Sequence, residues 1–348
     1  MARMTSREFA KLIGVSQSTV SRAMNNSNLV PPEKRKYIQD KAREYGFALN
    51  SQAISLKTKK NNTIGILFPK HFINMSTNIM MAHIYDCLQK ELSKWDYDVM
   101  VIHYNSREDD DSAFEKIIKK NKVDGFLVLR MELTDSEVRL INEYQVPCVF
   151  MMNAGAHIRQ ELNYLFSDSE YGGYLAGKYL GQFKEYEPAF ITIREEKHDS
   201  DRRLSGFIRG LKEWGKALNK ENILYCNLDV NSAYGCVLEH RALFFGAPVA
   251  MLAYSDILAI GVMNGAAKLG LSIPGDIQLI GMDDIPMLGW IRPALSTVHV
   301  NLEKMIPKGC QLLIDLIEKR AVEDIHQWLK PRLVLRDTTL TAEKRIKI

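Results

Sequence analysis

No two cysteines in this chain stand as CxxC, and the five present (Cys87, Cys148, Cys226, Cys236 and Cys310) are odd in number and far apart. That argues against a zinc knuckle or a disulfide framework and fits a reducing cytosol. No apolar run reaches the length of a membrane span. The opening MARMTSREFAKLIG lacks the apolar stretch of an export signal. The patterns GxGxxG, GxxxxGKS/T and HExxH are all missing, so the familiar phosphate cradles and zinc-hydrolase helices are not offered. His198 and His240 have no companions at metal-ligand spacing, and Asp109–Asp111 reads as a helix cap before it reads as a metal site. No cofactor and no metal are expected, and a cytoplasmic location is.

What is present is an ordinary globular composition with an uneven charge. The chain has 348 residues, 46% hydrophobic and 25% charged, enough for two or three domains. Residues 1–62 hold 12 Lys/Arg against 4 Asp/Glu, while the rest hold 34 against 38. The whole positive excess therefore sits at the front. Such asymmetry suggests a module that meets a polyanion, joined to a larger one that does not.

That front module reads as three short helices. Thr5 with Glu8 forms a capping box for a helix over 5–13, whose apolar side is Phe9, Ala10, Leu12 and Ile13. Gly14 supports a turn, and Ser16 caps a second helix in which Val20, Ala23 and Met24 face inward. A third starts near Pro32, with Tyr37, Ile38, Ala42 and Tyr45 at helical spacing. NSQAISLKTKK, over 50–60, reads as a solvated linker or as a marginal helix formed only on a surface that receives Leu56.

From residue 63 the pattern changes to short apolar strands alternating with helices, the mark of βαβ units and a parallel sheet. Strands are predicted at 63–68, 97–104, 124–130 and 146–152, then, after Asp168, at 189–193, 223–228, 249–254 and 277–283. Helices fill the intervals. The chain then crosses back through PALSTVHV and a helix over 301–319 to a last strand, PRLVLRDT. Two such halves predict two α/β lobes with a ligand crevice beyond the carboxyl ends of their strands.

The head meets the physical needs of a helix-turn-helix reader. Gln17, Ser18 and Thr19 occupy the first turn of the second helix, from which side chains reach base edges while the helix N-terminus faces phosphates. Arg22, one turn on, reaches bases or backbone. An ordinary helical hairpin shares the glycine turn and serine cap; the basic charge favours DNA.

FAKLIGVSQSTVSRAMNNSNLVPPEKRKYIQDKAREYGF resembles the head of the LacI/GalR family of bacterial transcription regulators. The likeness continues through TIGILFP, KVDGFLVL, DSEYGGYLAGKYL, RRLSGF and SDILAIGVMNGAAKLGLSIPGDIQLIGMDDIPMLGWIRPALSTV. It implies an N-terminal all-α helix-turn-helix head (1–47), a hinge helix (48–61) and a two-lobed α/β body (62–337) like periplasmic sugar-binding proteins. Lobe one is expected over about 62–165 plus 294–325, lobe two over about 166–293 plus 326–337, and a polar tail at 338–348.

The resemblance also implies roles. Gln17 and Ser18 read the major groove, supported by Ser16, Thr19, Ser21 and Arg22, with Thr5 and Asn25 at the edges of the contact. Leu56 is the hinge leucine that wedges into the minor groove, with Asn50, Ala53 and Lys57 around it. Reading a palindrome implies a homodimer, and nothing resembles the heptad tail of tetrameric members. Arg203 and Asp283 match the effector residues of the crevice, although either is open to a structural ion-pair role, and Arg202 is the solvent-facing neighbour.

Several positions depart from the family pattern. Met152 stands where many sugar-binding members have an aspartate, and Ser255 where an asparagine or aspartate points at the effector, with Asp256 as the helix cap. Phe72 and Asn74 follow the first strand, Lys197 precedes Arg203, and Trp290 offers a stacking face or core packing. A sugar or a sugar phosphate is the expected small-molecule effector, controlling a repressor of carbohydrate-utilisation genes that binds a DNA operator. The alternative is a two-lobed sugar-binding protein or crevice enzyme that reads no operator. The crevice offers no nucleophile–base–orienter set, and His299 in STVHV reads as structural.

Overall fold

The computed structural model describes residues 4–24, 26–47, 60–68, 79–102, 113–129, 133–152, 162–194, 197–323 and 325–341. It divides into two compact units, 1–63 with 122–124, and 64–121 with 125–348. The first holds α1 (Ser6–Leu12), α2 (Gln17–Met24) and α3 (Pro32–Glu44). Thr5 and Glu8 close a reciprocal capping box on α1, and Pro32 opens α3 as its sequence position suggests. Phe9, Ala10, Val20, Ala23, Val30, Ile38, Ala42 and Phe47 make the small core, in which the rings of Phe9 and Phe47 stack at 4.2 Å. Leu12 is 52% exposed and does not join it, because its position on α1 turns away from α2 and α3.

The second unit is built from two sheets whose described pairings are parallel except at the edge strand Arg332–Val334, which runs antiparallel to Ser296–His299. The first lobe contains β1 (Thr63–Leu67), α4 (Ile79–Ser93), β2 (Asp98–Ile102), α5 (Ala113–Lys119), β3 (Gly125–Val128), α6 (Asp135–Tyr144), β4 (Cys148–Met152) and β5 (Asn163–Ser167). The second contains α7 (Ser169–Leu180), β6 (Glu187–Ile193), α8 (Lys197–Lys212), β7 (Ile223–Cys226), α9 (Val230–Glu239), α10 (Arg241–Gly246), β8 (Val249–Ala253), α11 (Asp256–Leu269), β9 (Ile277–Asp283) and β10 (Ser296–His299). The chain then forms α12 (Leu302–Ile317), β11 (His326–Leu329) and β12 (Arg332–Val334).

The six-stranded sheets run β2-β1-β3-β4-β5-β11 and β7-β6-β8-β9-β10-β12. Each is doubly wound, with strand order reversing beside β1 and β6, so a crevice opens at the carboxyl ends there. Continuous apolar strands such as β4 and β8 are buried along their whole length, as strands covered on both faces must be.

Three crossings join the lobes, at 168, 300–301 and 330–331. They are laced together: Asp168 N donates to Leu329 O at 3.0 Å, and Asn301 Nδ2 to Lys330 O at 2.7 Å. The expected lobe boundaries shift accordingly. Residues 296–299 pair with β9 in the second sheet, and 326–329 pair with β5 in the first, the reverse of the expectation for both segments. The beginning of the expected polar tail is also structured. Thr338 is fully buried and donates to Leu279 O at 2.7 Å, while Leu340 N donates to Gln278 Oε1 at 3.0 Å.

Candidate functional site

In the head, α2 turns Val20 and Ala23 into the core and leaves Gln17, Ser18 and Arg22 exposed. Ser16 caps the helix by accepting from Thr19 N at 3.1 Å, and its hydroxyl lies 2.8 Å from that of Ser18 and 2.7 Å from that of Thr19. This knot of hydroxyls fixes the first turn and gathers polar groups at the positive end of the helix. Thr19 and Ser21 are half-buried. Thr5 is exposed, but its hydroxyl serves α1: it accepts from Glu8 N at 3.3 Å and lies 2.9 Å from Glu8 Oε2. Thr5 N, donating to Glu8 Oε2 at 2.7 Å, and then the Thr5 hydroxyl hold the Glu8 carboxyl below the usual range. Asn25, Asn50, Ala53, Leu56 and Lys57 lie outside the described residues.

In the body, the strand ends carry the predicted residues, and two of them have unusual backbones. Met152 closes β4 with φ of +85°, buried. Asp283 closes β9 with φ of +118°, half-buried, and Asp284 follows at +60°. Positive φ in non-glycine residues costs on the order of 1–3 kcal/mol each and persists only where the surroundings impose it. Phe72 and Asn74 lie outside the described residues, and Lys197 is the first residue of α8.

Arg203 is buried and bonds to neighbours in the second lobe. Its Nε lies 2.8 Å from Asp199 Oδ2, one turn earlier on α8. Its NH1 donates to Tyr254 O, and the guanidinium sits 4.1 Å over the Tyr254 ring. The arginine thereby fastens α8 to the carboxyl end of β8. Asp199 and Tyr254 were missed by sequence reasoning; the four-residue spacing in DSDRR was the signal for Asp199. Arg202 is not the solvent-facing neighbour expected. Its side chain is 24% exposed, its guanidinium lies 4.7 Å over Trp328 on β11, and NH2 is 3.6 Å from Asp168 Oδ1.

The helix-cap role expected of Asp256 falls to Ser255. Ser255 is the N-cap of α11, accepting from Leu258 N at 3.4 Å, and is buried. Asp256 is completely buried and leaves its own helix to bond elsewhere, to Thr297 and Ile285. Trp290 is 86% exposed, so core packing does not explain it. His299 is held as a structural residue, with Nδ1 2.8 Å from Asp284 Oδ2 and Nε2 2.9 Å from Glu303 Oε2. Among the described residues no group of three or more His, Cys, Asp or Glu side chains is placed to hold a metal ion, and no helix is long and apolar enough to cross a membrane.

A family model for bacterial regulatory proteins of the lacI family matches residues 5–50, and one for a periplasmic binding protein-like domain matches residues 186–339. The HTH-type transcriptional repressor PurR of Vibrio vulnificus (strain CMCP6) is 28% identical over 335 residues, covering 96% of this chain and 98% of that protein. The chain is similar to LacI/GalR-family regulators along nearly its whole length. The relatives that it matches are HTH-type transcriptional repressors. Solved structures agree in fold. The lac repressor dimer bound to operator and the anti-inducer ONPF matches with a TM-score of 0.79 at 20% identity, over 98% of this chain and 100% of that one. The regulator CelR in complex with cellobiose matches at 0.70 and 22%, over 97% and 100%.

Proposed function

We propose that this LacI-family regulator is a repressor that reads a palindromic operator as a homodimer and answers a small molecule held in the crevice of its body. The observation that carries the reading is the outward face of α2: Gln17, Ser18 and Arg22 stand exposed beside a hydroxyl-rich helix start, in a module with a large positive excess. Gln17 and Ser18 read the major groove, supported by Ser16, Thr19, Ser21 and Arg22, and Leu56 is the minor-groove wedge of the proposed hinge at 48–61.

The homodimer is supported by an apolar flank on the first lobe. The half-buried Met81, Tyr85 and Cys87 of α4 adjoin Tyr97, Val99 and Val101 on or beside β2, and β2 is an edge strand. Edges of this kind are normally covered. Two heads on one dimer engage both halves of a palindrome.

The effector meets Asp283 from the second lobe and Met152 from the first, with Phe72 and Asn74 as further candidates from the sequence alone. Arg203 orients this wall through Asp199 and Tyr254, and Lys197 borders it. A carboxylate among hydrogen-bonding groups suits hydroxyls, so a sugar or sugar phosphate signalling carbohydrate supply is the proposed effector. The CelR–cellobiose complex, similar in fold, is consistent with that class. Effector and DNA each stabilise one arrangement of the lobes, and the coupling is reciprocal.

The test is fluorescence anisotropy of the full chain on DNA from beside its own gene, repeated with cellobiose, ribose and glucose 6-phosphate and with an Arg22→Ala variant. Tight binding that one compound reverses, and that Arg22→Ala weakens, is expected. Absence of sequence preference with and without every compound refutes the operator-reading role.

A further inference from the structure

Asp256 is placed where a helix would ordinarily begin, yet the carboxylate does nothing for that helix in the described contacts. Ser255 already provides the cap. Both oxygens of Asp256 reach to other elements instead. Oδ2 accepts from Ile285 N at 3.0 Å, in the turn just beyond β9, and Oδ1 accepts from Thr297 Oγ1 at 2.6 Å, on β10. The carboxylate lies across β9 itself. A Cβ on Gly281 would come within 2.2 Å of Asp256 Oδ1, so only glycine at that position leaves room for it.

The same turn is gripped from its other side. Asp284 Oδ1 accepts from Arg336 NH2 at 2.6 Å, and Asp284 Oδ2 lies 2.8 Å from His299 Nδ1. Arg336 is in turn anchored on Leu295 O at 2.7 Å. Asp283, with φ of +118°, is thus followed at once by two clamped residues, Asp284 and Ile285, which fix the turn it leads into. An L-residue does not keep that conformation without such constraint.

We infer that Asp256 is a positioning residue for the effector crevice: through Ile285 N and Thr297 it holds the 283–285 turn so that Asp283 keeps its strained backbone at the carboxyl end of β9. The inference rests on the proposed crevice for its functional meaning, but the clamp stands on its own geometry. Burial, then the neighbouring Asp283 and Asp284 carboxylates, push the Asp256 carboxyl well up from the ordinary range, while Thr297 and Ile285 N oppose this. Charged or titratable groups on the surrounding elements are Asp283 and Asp284 on the turn, His299 on β10, Glu303 on α12 and Arg336 after β12. A clamp made by a carboxyl so placed changes strength with pH; one made by an amide does not.

The test is hydrogen exchange of the full chain without any small molecule, comparing the parent with Asp256→Asn, Asp256→Ala and Thr297→Val. Protection of the amide of Ile285 and its neighbours in the 283–288 segment is expected to fall about tenfold in Asp256→Ala and less in Asp256→Asn, which keeps one acceptor. Protection of β8 should stay unchanged in all of them. After correction for intrinsic exchange, protection at Ile285 should vary with pH in the parent and be flat in Asp256→Asn. Equal protection of the turn in parent and variants overturns the inference, as does a pH profile shared by both. An Asp283→Asn variant separates the two readings. If it leaves operator release by cellobiose, ribose and glucose 6-phosphate unchanged, the crevice reading fails while the clamp stands. If it abolishes release and Asp256→Ala does not, the positioning role fails.

Discussion

Replacing Gly206 by alanine should drive apart two helices whose backbones touch. Glycines recur at four-residue spacing on both: Gly173 and Gly177 on α7, Gly206 and Gly210 on α8. A Cβ at Gly173 would lie 2.1 Å from Arg203 O, at Gly177 2.2 Å from Phe207 O, at Gly206 1.8 Å from Glu170 O, and at Gly210 2.4 Å from Tyr174 O. Every obstacle is main chain, so no side chain can swing clear. The spacing is the small-residue stripe that lets helices pack with Cα–H groups against carbonyls.

The magnitude follows from the shortfall. An ordinary carbon–oxygen contact is about 3.3 Å, so an alanine at 206, starting from 1.8 Å, needs the helices to open by about 1.5 Å. A gap of even ~1 Å forfeits up to half of each dispersion contact along the seam. Alanine gains about 1 kcal/mol of helix propensity over glycine. Overpacking against backbone lies at or beyond the top of the usual range of about 1–3 kcal/mol, leaving a net loss of about 2 kcal/mol or more. Gly235 on α9 is the internal control, because a Cβ there meets nothing within 4 Å. Gly235→Ala should stabilise by about 0.5–1 kcal/mol. Urea unfolding followed by circular dichroism measures both. Because α8 carries Asp199 and Arg203, Gly206→Ala should also weaken the response to effector. If Gly206→Ala matches the parent in midpoint, or if Gly235→Ala falls as far as Gly206→Ala, the reasoning about the seam is wrong.

Other outcomes follow from single contacts. Since the folded Asp256 carboxyl is raised, the stability it contributes is present below the ordinary carboxylate value, about 3.9, and is lost as pH rises through the folded one. The stability of Asp256→Asn relative to the parent should therefore climb between pH 4 and neutrality (on the order of those limits), and urea midpoints that keep a constant gap would refute this. Thr5→Ala removes the capping box on α1 and should lower the stability of the head by about 1 kcal/mol, seen as faster hydrogen exchange confined to 5–47. Arg202→Ala loses the stack on Trp328 and should cost about 0.5–2 kcal/mol in urea unfolding, while Arg202→Lys recovers only part of it.

How far the sequence reveals the molecule depends on how local each determinant is. The head was legible because its signals are short-range: Thr5 with Glu8, Ser16 with Thr19, Pro32 at a helix start. Most body strands were legible as apolar runs. The exceptions are instructive. NYLFS and HQWL are strands because they pair with each other along the first sheet, Tyr164 against His326 and Phe166 against Trp328, and neither shows the pattern alone. Placing β10 in the wrong lobe has the same origin, since a chain crossing is a property of the sheet and leaves no mark in STVHV. At the candidate site, Asp283 was found at its strand end, but the helix cap expected at Asp256 is Ser255. Either can cap a helix; what decides is that Gly281, some 25 residues on by the sequence numbering, leaves a space only a buried carboxylate fills. Arg202 was misjudged because its partner, Trp328, lies on the strand that was not foreseen.

The two lobes repeat one architecture, and the comparison locates where recognition is specific. Their sheets have the same order, and β4 and β9 hold the same place within it. Both strands end on a non-glycine residue at positive φ, Met152 and Asp283. The turn out of that strand takes a positive φ in both lobes, and in the second the bonds to Asp284 and Ile285 N fix it further. The chemistry at the two ends differs completely. In the first lobe the position holds a buried thioether, able to offer shape and dispersion. In the second it holds a carboxylate, with a buried carboxyl, a histidine and an arginine committed to fixing its turn. Hydrogen bonds made from a pre-set turn discriminate more strongly than apolar contacts, because a wrong ligand leaves a desolvated polar group unmatched. In the proposed crevice, selectivity would therefore come from the second lobe and shape complementarity from the first.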